Sequence, residues 1–280
     1  MLKNLKTKIF LDSGDPKETK EIINLLGFLD GQTTNPTLVG KNPGVQGQKL
    51  NKEELLGFYK KIVKEISQLI PSGSVSIEVY ADKNTTAEEM LDQAREMFSW
   101  IPNAHIKFPT TKEGLLAAEQ AVKEGMRINM TLCFSQEQAA AVYVATKGAK
   151  KGQVFVSPFV GRLDDQGKNG MQLIENILEM FKKSDGHVEV LTASVRNLDH
   201  FFQAIKTRSD IITTPFKVLK EWGERKLPIP TDDFTYKSSL SEIPCKEINL
   251  NQPWQNFDIQ HELTDKGIQK FSDDWNLLII

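Results

Sequence analysis

A lysine lies within an apolar run in the segment NAHIKFPTT, residues 103–111. Ile106 and Phe108 flank Lys107. Lysine is rarely buried because its ammonium loses hydration away from water, so an apolar setting favours the neutral amine. A neutral amine can attack a carbonyl carbon and form a Schiff base. The spacing leaves two other roles open for Lys107: an ion pair with Glu78, or a side chain that extends its ammonium to solvent.

Polar side chains also lie at the ends of the other β-like runs. In chain order these residues are Asp12, Asn35, Glu78, Lys107, Asn129 with Thr131, Ser157 and Ser194. Any one of them could be a capping group or a satisfied core polar group. In a parallel barrel the C-terminal strand ends meet at one mouth, so the whole set predicts a catalytic constellation. Asp12 and Glu78 are then the candidates for proton transfer.

Two arginines follow the sixth and seventh β-like runs. The segment SPFVGR ends at Arg162, and TASVR ends at Arg196, two residues after Ser194. Adjacent strands place their loops side by side, where two guanidinium groups can bind one phosphate. Barrels of this kind often bind phosphate near their last strands. We therefore predict a phosphate clamp, with arginines on a solvated rim as the alternative.

Composition excludes several classes of protein. The 280 residues include 35 basic and 37 acidic side chains, a formal net charge of −2 that indicates neither a nucleic-acid nor a membrane partner. No signal peptide or span of ~20 apolar residues is present. Cys133 and Cys245 are the only cysteines, which favours a reducing compartment. The four histidines lack metal-ligand spacing. We expect a soluble cytoplasmic protein that needs no metal and no other cofactor.

Eight short β-rich runs alternate with helix-like segments along the chain. They cover residues 8–12, 31–35, 74–81, 105–109, 127–134, 153–160, 187–194 and 210–216. This alternation predicts a parallel sheet covered by helices, and eight units favour a (β/α)₈ TIM barrel. A doubly wound sheet is the main alternative, which the lack of a G-x-G-x-x-G turn or a Walker-type loop disfavours.

The pattern changes after about residue 226. We assign residues 1–226 to a catalytic barrel and residues 227–280 to a C-terminal extension with a helix near 263–275. The apolar positions of that helix are Leu263, Ile268, Phe271 and Trp275. Three placements stay open: on the outside of the barrel, as a lid over its mouth, or as a strap onto a neighbouring subunit. A homo-oligomer is likewise left open.

The sequence resembles the transaldolase family in these motifs. The strand segments that match are FLDSGD, GQTTNPTLVGKNP, IEVYAD, HIKFPTTKEGLLA and INMTLCFSQEQA. The sugar-phosphate segments of the family are similar to VSPFVGRLDD and TASVRN, and its closing helix to HELTDKGIQKFSDDW. The resemblance covers nearly the whole chain except residues 227–260.

The resemblance implies a metal-free class I aldol mechanism on a (β/α)₈ barrel, with sugar phosphates as the small-molecule partners. Lys107 would form the imine, Asp12 would act as acid and base, and Glu78 would work through a water held with Thr131. The implied substrate-binding residues are Thr34, Asn35, Asn129, Ser157, Phe159, Arg162, Ser194 and Arg196. Of these, Arg162, Ser194 and Arg196 would bind the phosphate.

Two activities share this family, transaldolase and fructose-6-phosphate aldolase. The resemblance implies that the aldolases carry glutamine in place of Glu78 and tyrosine in place of Phe159, so this chain has the transaldolase-like pair. We therefore expect transfer of a dihydroxyacetone unit between sugar phosphates of the pentose phosphate pathway. The alternatives are an aldolase that releases free dihydroxyacetone and a non-catalytic sugar-phosphate-binding barrel.

Overall fold

The computed structural model describes residues 5–280 and contains a closed barrel of parallel strands. The strands follow one another in chain order, and β1 pairs with β8 to close the barrel. The eight strands are β1 Lys8–Asp12, β2 Gly31–Thr33, β3 Ser74–Glu78, β4 Ala104–Pro109, β5 Ile128–Cys133, β6 Val154–Pro158, β7 Val188–Thr192 and β8 Ile211–Pro215. The prediction of a (β/α)₈ barrel is confirmed, and the doubly wound alternative is wrong.

Helices cover the barrel, and several of them begin at a capping side chain. Their bounds are α1 Pro16–Leu26, α2 Pro36–Gly40, α3 Lys52–Leu69, α4 Ala87–Phe98, α5 Lys112–Lys123, α6 Gln136–Ala145, α7 Val160–Asp164, α8 Gly170–Phe181, α9 Leu198–Lys206, α10 Phe216–Glu224 and α11 Glu262–Asn276. Asp15 caps α1 in front of a proline, and Thr86 forms a capping box with Glu89 at α4. None of the helices within residues 5–280 combines the length and apolar character needed to cross a membrane.

Strand register brings three polar residues of the barrel wall side by side. Glu78 of β3 is the partner of Lys107 in β4, and Lys107 is the partner of Asn129 in β5. Paired residues of neighbouring strands point to the same side of the sheet, so these three side chains form one row. The fold therefore positions them with regular strands, whose geometry is more rigid than that of loops.

Six of the eight predicted strands are shorter in the structure, and two of them end at side-chain hydrogen bonds. The run predicted at 31–35 ends as a strand at Thr33, because Asn35 instead caps α2 by accepting a hydrogen bond from the backbone of Leu38. The run predicted at 74–81 ends at Glu78, and the backbone of Tyr80 bonds to the side chain of Gln93. Side-chain hydrogen bonds thus end both strands.

Residues 225–261 contain no strand and only a short 3₁₀ turn at Trp254–Asn256. This stretch, which we call the strap, is held to the outer helices by hydrogen bonds. The backbone of Ser241 pairs with Lys168, and the side chain of Asn176 in α8 donates to the carbonyl of Ile243 at 2.8 Å. The strap leads the chain back toward the barrel mouth, where it enters α11.

The last helix, α11, packs on the C-terminal end of its own barrel. Its Thr264 hydroxyl donates to the carbonyl of Leu132 in β5 at 2.9 Å. Leu132 has a left-handed φ of 58°, and the β5–β6 register shifts at this point. Such a bulge turns the carbonyl out of the strand ladder, where α11 can reach it.

Candidate active site

A cavity of about 450 Å³ opens at the C-terminal ends of the strands. Nine of the twelve predicted site residues line it: Asp12, Asn35, Lys107, Thr131, Ser157, Phe159, Arg162, Ser194 and Arg196. A larger depression of about 620 Å³ lies at the opposite end of the barrel and includes none of the twelve. We place the site in the smaller cavity because parallel barrels carry their chemistry at the C-terminal face.

Lys107 and Glu78 form a buried ion pair at the floor of this cavity. The Lys107 Nζ lies 2.9 Å from Glu78 Oε2, and the two side chains are 4% and 5% exposed. The Lys107 ammonium also donates to the backbone carbonyl of Thr34 at 2.9 Å. The ion pair that the spacing left open is therefore present, and it places a carboxylate where it can take a proton from the lysine.

The two acidic side chains of the site are held in a poorly hydrated environment. Burial raises the pKa of Asp12 above its ordinary value, although the charge of Lys107 and a 2.6 Å hydrogen bond from Thr33 oppose that rise. Burial likewise raises the pKa of Glu78, against the attraction of Lys107. Carboxyl groups with raised pKa values can both donate and accept protons near neutral pH.

Two buried oxygens beside the lysine keep unused hydrogen-bonding capacity. Among residues 5–280, neither Glu78 Oε2 nor Thr131 Oγ1 has a hydrogen-bond partner. Glu78 Oε2 does contact the Lys107 ammonium, as an ion pair at 2.9 Å. Because buried oxygens are normally satisfied, both can accept a hydrogen bond from a water molecule or a substrate hydroxyl.

The amide residues of the site differ in exposure. Asn129 is fully buried, accepts a hydrogen bond from Ser157 Oγ at 2.6 Å, and donates to Ser76 Oγ at 3.1 Å. Asn129 therefore orients the Ser157 hydroxyl, which lines the cavity. The side-chain oxygen of Asn35 caps α2 at 2.9 Å, so its amide nitrogen stays available on the cavity side.

Thr34 differs from the role that the family motif implied. Its hydroxyl is fully buried, is 2.6 Å from the Tyr59 hydroxyl, and donates to the carbonyl of Ser76 at 2.7 Å. Thr34 does not line the cavity. Its contact with the site is its carbonyl oxygen, which binds Lys107. The side chain of Thr34 therefore supports the strand ends instead of contacting a substrate.

The two predicted arginines have different surroundings at the rim. The Arg162 guanidinium lies between the rings of Phe159 and Phe271, 5.3 Å and 5.2 Å from their centroids. The pKa of Arg162 is lowered, mainly by burial, but the guanidinium stays charged. Arg196 makes a 2.7 Å ion pair with Asp165. A guanidinium stacked on aromatic rings keeps its in-plane N–H donors for hydrogen bonding, which suits a phosphate ligand.

Ten further residues line the cavity that were not among the predicted site residues. They are Thr33, Thr37, Leu38, Lys41, Ala193, Val195, Thr213, Pro215, Lys270 and Phe271. Thr33 bonds both Asp12 and Thr213, at 2.6 Å each. Phe271 and Lys270 come from α11, so the helix contributes to its own chain's cavity. The apolar spacing predicted a buried Phe271 but did not indicate which surface it would face.

The described residues do not suggest a metal site. Within residues 5–280, no group of three or more His, Cys, Asp or Glu side chains is arranged to hold an ion. Cys133 is buried and unpaired, and burial raises the pKa of its thiol to about 12. A thiol with so high a pKa is a poor nucleophile.

Comparisons with known proteins agree with this geometry. The family model described as Transaldolase/Fructose-6-phosphate aldolase matches residues 9–279. The chain is 38% identical to a probable transaldolase of Dehalococcoides mccartyi over 96% of this chain and 97% of that protein. It is 36% identical to a probable transaldolase of Methanococcus maripaludis, with 96% and 97% covered. For a probable transaldolase of Thermoanaerobacter sp. the identity is 35%, with 96% of each chain covered.

Proposed function

Because the chain belongs to the transaldolase/fructose-6-phosphate aldolase family, we propose that it is a transaldolase that acts through a Schiff base on Lys107. It transfers a dihydroxyacetone unit from sedoheptulose 7-phosphate or fructose 6-phosphate to glyceraldehyde 3-phosphate or erythrose 4-phosphate. The observation that carries this proposal is the buried contact of 2.9 Å between Lys107 and Glu78 beside the cavity.

Imine formation begins with a proton leaving the Lys107 ammonium. The Glu78 carboxylate is close enough to take it, and its raised pKa favours the neutral form in this buried setting. The amine then attacks the ketose carbonyl, and loss of water from the adduct gives the imine. Thr131 and Glu78 are suited to hold that water, since their buried oxygens lack hydrogen-bond partners among the described residues.

Carbon–carbon cleavage needs a base at the adjacent hydroxyl. Asp12 lines the cavity, and its carboxylate takes the proton of the C4 hydroxyl while the C3–C4 bond breaks. The bonding electrons move to the imine nitrogen, so an enamine forms and an aldose phosphate leaves. The enamine then attacks the acceptor aldehyde, Asp12 returns the proton, and hydrolysis frees Lys107.

Binding of the substrate is divided between the two sides of the cavity. Asn35 and Ser157, the latter oriented by Asn129, hydrogen-bond the dihydroxyacetone hydroxyls. Arg162, Ser194 and Arg196, which all line the cavity, bind the phosphate. Paired guanidinium groups favour a doubly charged phosphate over an uncharged sugar end.

Glu78 and Phe159 favour transfer over release of free dihydroxyacetone. The Phe159 ring lines the cavity and has no hydroxyl with which to protonate the enamine, so the enamine persists until an acceptor aldehyde arrives. The test is to incubate the enzyme with fructose 6-phosphate and erythrose 4-phosphate and to measure sedoheptulose 7-phosphate and glyceraldehyde 3-phosphate. Absence of both products with a folded protein would contradict the proposal.

We also propose that the protein works in the cytoplasm. Cys133 and Cys245 are both free thiols, one buried and one exposed, as is usual in a reducing compartment. Phosphorylated sugars of the pentose phosphate pathway would be its substrates there. Fusion of the full chain to a fluorescent protein, followed by fractionation, tests the location.

A further inference from the structure

Tyr59 of α3 lies directly behind the Lys107–Glu78 pair, although it does not line the cavity. It is fully buried, and its hydroxyl accepts a hydrogen bond from the backbone N–H of Glu78 at 3.0 Å. The same hydroxyl is 2.6 Å from Thr34 Oγ1. One phenol oxygen thus contacts Glu78 at the end of β3 and Thr34 just after β2, and the carbonyl of Thr34 accepts a hydrogen bond from Lys107.

The direction of each hydrogen bond in this network follows from counting protons. Thr34 has one hydroxyl proton, which it donates to the carbonyl of Ser76. Thr34 Oγ1 must therefore accept from Tyr59, while Tyr59 accepts from the N–H of Glu78. Burial raises the pKa of Tyr59, so its proton is retained for this bond. The chain of donors is complete only while the phenolic hydroxyl is present.

Both ends of this network reach the reacting groups. The carbonyl of Thr34 accepts a hydrogen bond from Lys107, and the N–H that Tyr59 binds belongs to Glu78. The Tyr59 ring also packs against Trp275 of α11, with centroids 5.9 Å apart, and against Trp100 at 6.0 Å. Helix α11 therefore packs against the ring whose hydroxyl is bonded to Thr34 and Glu78.

We propose that Tyr59 is a positioning residue that fixes the distance between Lys107 and Glu78. Through its ring, this distance also depends on the packing of α11. The proposal rests on the transaldolase function. Proton transfer between the pair depends on their separation, whereas phosphate binding by Arg162 and Arg196 does not involve Tyr59. Loss of the hydroxyl should therefore lower kcat and leave KM for phosphorylated sugars nearly unchanged.

The test compares Tyr59→Phe with Tyr143→Phe, a matched control. Tyr143 is a buried tyrosine of α6 that packs on His187 and does not line the cavity. We expect Tyr59→Phe to lower kcat of transfer from fructose 6-phosphate at least tenfold with KM within twofold, and Tyr143→Phe to match the wild type. A kcat within twofold of wild type in folded Tyr59→Phe would overturn the proposal, as would a loss confined to KM.

A second pair of variants tests the same network if Tyr59→Phe does not fold. Thr34→Ser keeps the hydroxyl and Thr34→Val removes it, so kcat of the serine variant should exceed that of the valine variant at least fivefold. Equal kcat values would contradict the network. In a double variant, Tyr59→Phe and Thr34→Val should lose little more than either alone, because they break one chain. If the fold losses in kcat of the two single variants multiply in the double variant, the network is contradicted.

The wild-type enzyme separates this inference from the proposed function. Borohydride reduction with fructose 6-phosphate should trap a Lys107 adduct in the wild type, and more slowly in Tyr59→Phe. A wild type that traps no adduct on Lys107 removes the proposed function and this inference with it. Trapping at equal rates in both proteins overturns only the role of Tyr59.

Discussion

The Lys107 ammonium lies 2.9 Å from the Glu78 carboxylate, and both side chains are almost fully buried. Taken alone, a buried ion pair is weak support for stability, because removing two charges from water costs nearly as much as their attraction returns. Here the pair lies beside a cavity with two arginines on its rim. In the proposed reaction the pair has a role as a proton donor and acceptor held next to each other.

Activity should depend on pH through the carboxyl groups. Burial raises the pKa of Glu78, and a base must be deprotonated, so kcat should fall on the acid side at a pH above the ordinary glutamate value of 4.5. Glu78→Gln keeps the shape of the side chain but cannot accept a proton. We expect at least a tenfold lower kcat and a change on the acid side of the pH profile of kcat. Asp12 also has a raised pKa, so the acid side of the wild-type pH profile of kcat reflects the titration of both carboxyl groups together. An unchanged acid side of the profile and full turnover in Glu78→Gln would exclude Glu78 from proton transfer.

Arg162→Ala and Arg196→Ala should mainly raise KM for phosphorylated sugars. Charge-assisted hydrogen bonds contribute about 1.5–3 kcal/mol, which corresponds to roughly a tenfold to hundredfold rise in KM. Arg225→Ala is the matched control, because that arginine is 60% exposed and pairs with Glu221 in α10. Steady-state kinetics with fructose 6-phosphate measures the effect. Kinetics equal to those of the control would assign both arginines to a solvated rim.

Phe159→Tyr should shift the reaction from transfer toward release of dihydroxyacetone. The tyrosine hydroxyl would supply a proton donor near the enamine, and the nearly unchanged ring volume should preserve folding. A paired assay of free dihydroxyacetone and sedoheptulose 7-phosphate gives the ratio. Phe202→Tyr, in α9, controls for the added hydroxyl. If Phe159 only packs the barrel, neither variant will change the ratio.

Gly267→Ala should disturb the phosphate side of the cavity. A Cβ at this position of α11 would lie 2.6 Å from Leu132 Cδ2 and 2.7 Å from Arg162 Nη1, so the helix or the arginine must move. We expect a raised KM for phosphorylated sugars. Gly57→Ala in α3 meets nothing within 4 Å and serves as the control, with stability equal or higher by about 0.5–1 kcal/mol. Kinetics identical to wild type would show that α11 does not position Arg162.

The barrel could be predicted from the sequence because each strand and helix has a hydrophobic pattern that extends over only a few neighbouring residues. Strand alternation and capping residues such as Thr86 act within a few positions, so the order of the elements could be predicted. The strand-end rule then brought distant polar residues together without any knowledge of contacts. Both rules depend on the sequence pattern alone.

Contacts between distant segments could not be predicted in the same way. The hydroxyl of Thr34 belongs to a network only because Tyr59, in a different helix, lies opposite it. The strap of residues 225–261 is ordered by hydrogen bonds to outer helices, which leave no periodic pattern. In the sequence Lys270 is indistinguishable from an ordinary surface lysine, and only the position of α11 brings it to the cavity. In each case a partner far along the chain decides the role.

Borohydride reduction in the presence of fructose 6-phosphate shows whether Lys107 forms the covalent intermediate of the proposed reaction. We expect a single dihydroxyacetone adduct, mapped by peptide mass spectrometry to Lys107, and none in folded Lys107→Ala, which should also lose turnover. An adduct on a different lysine, or full turnover in Lys107→Ala, would contradict it.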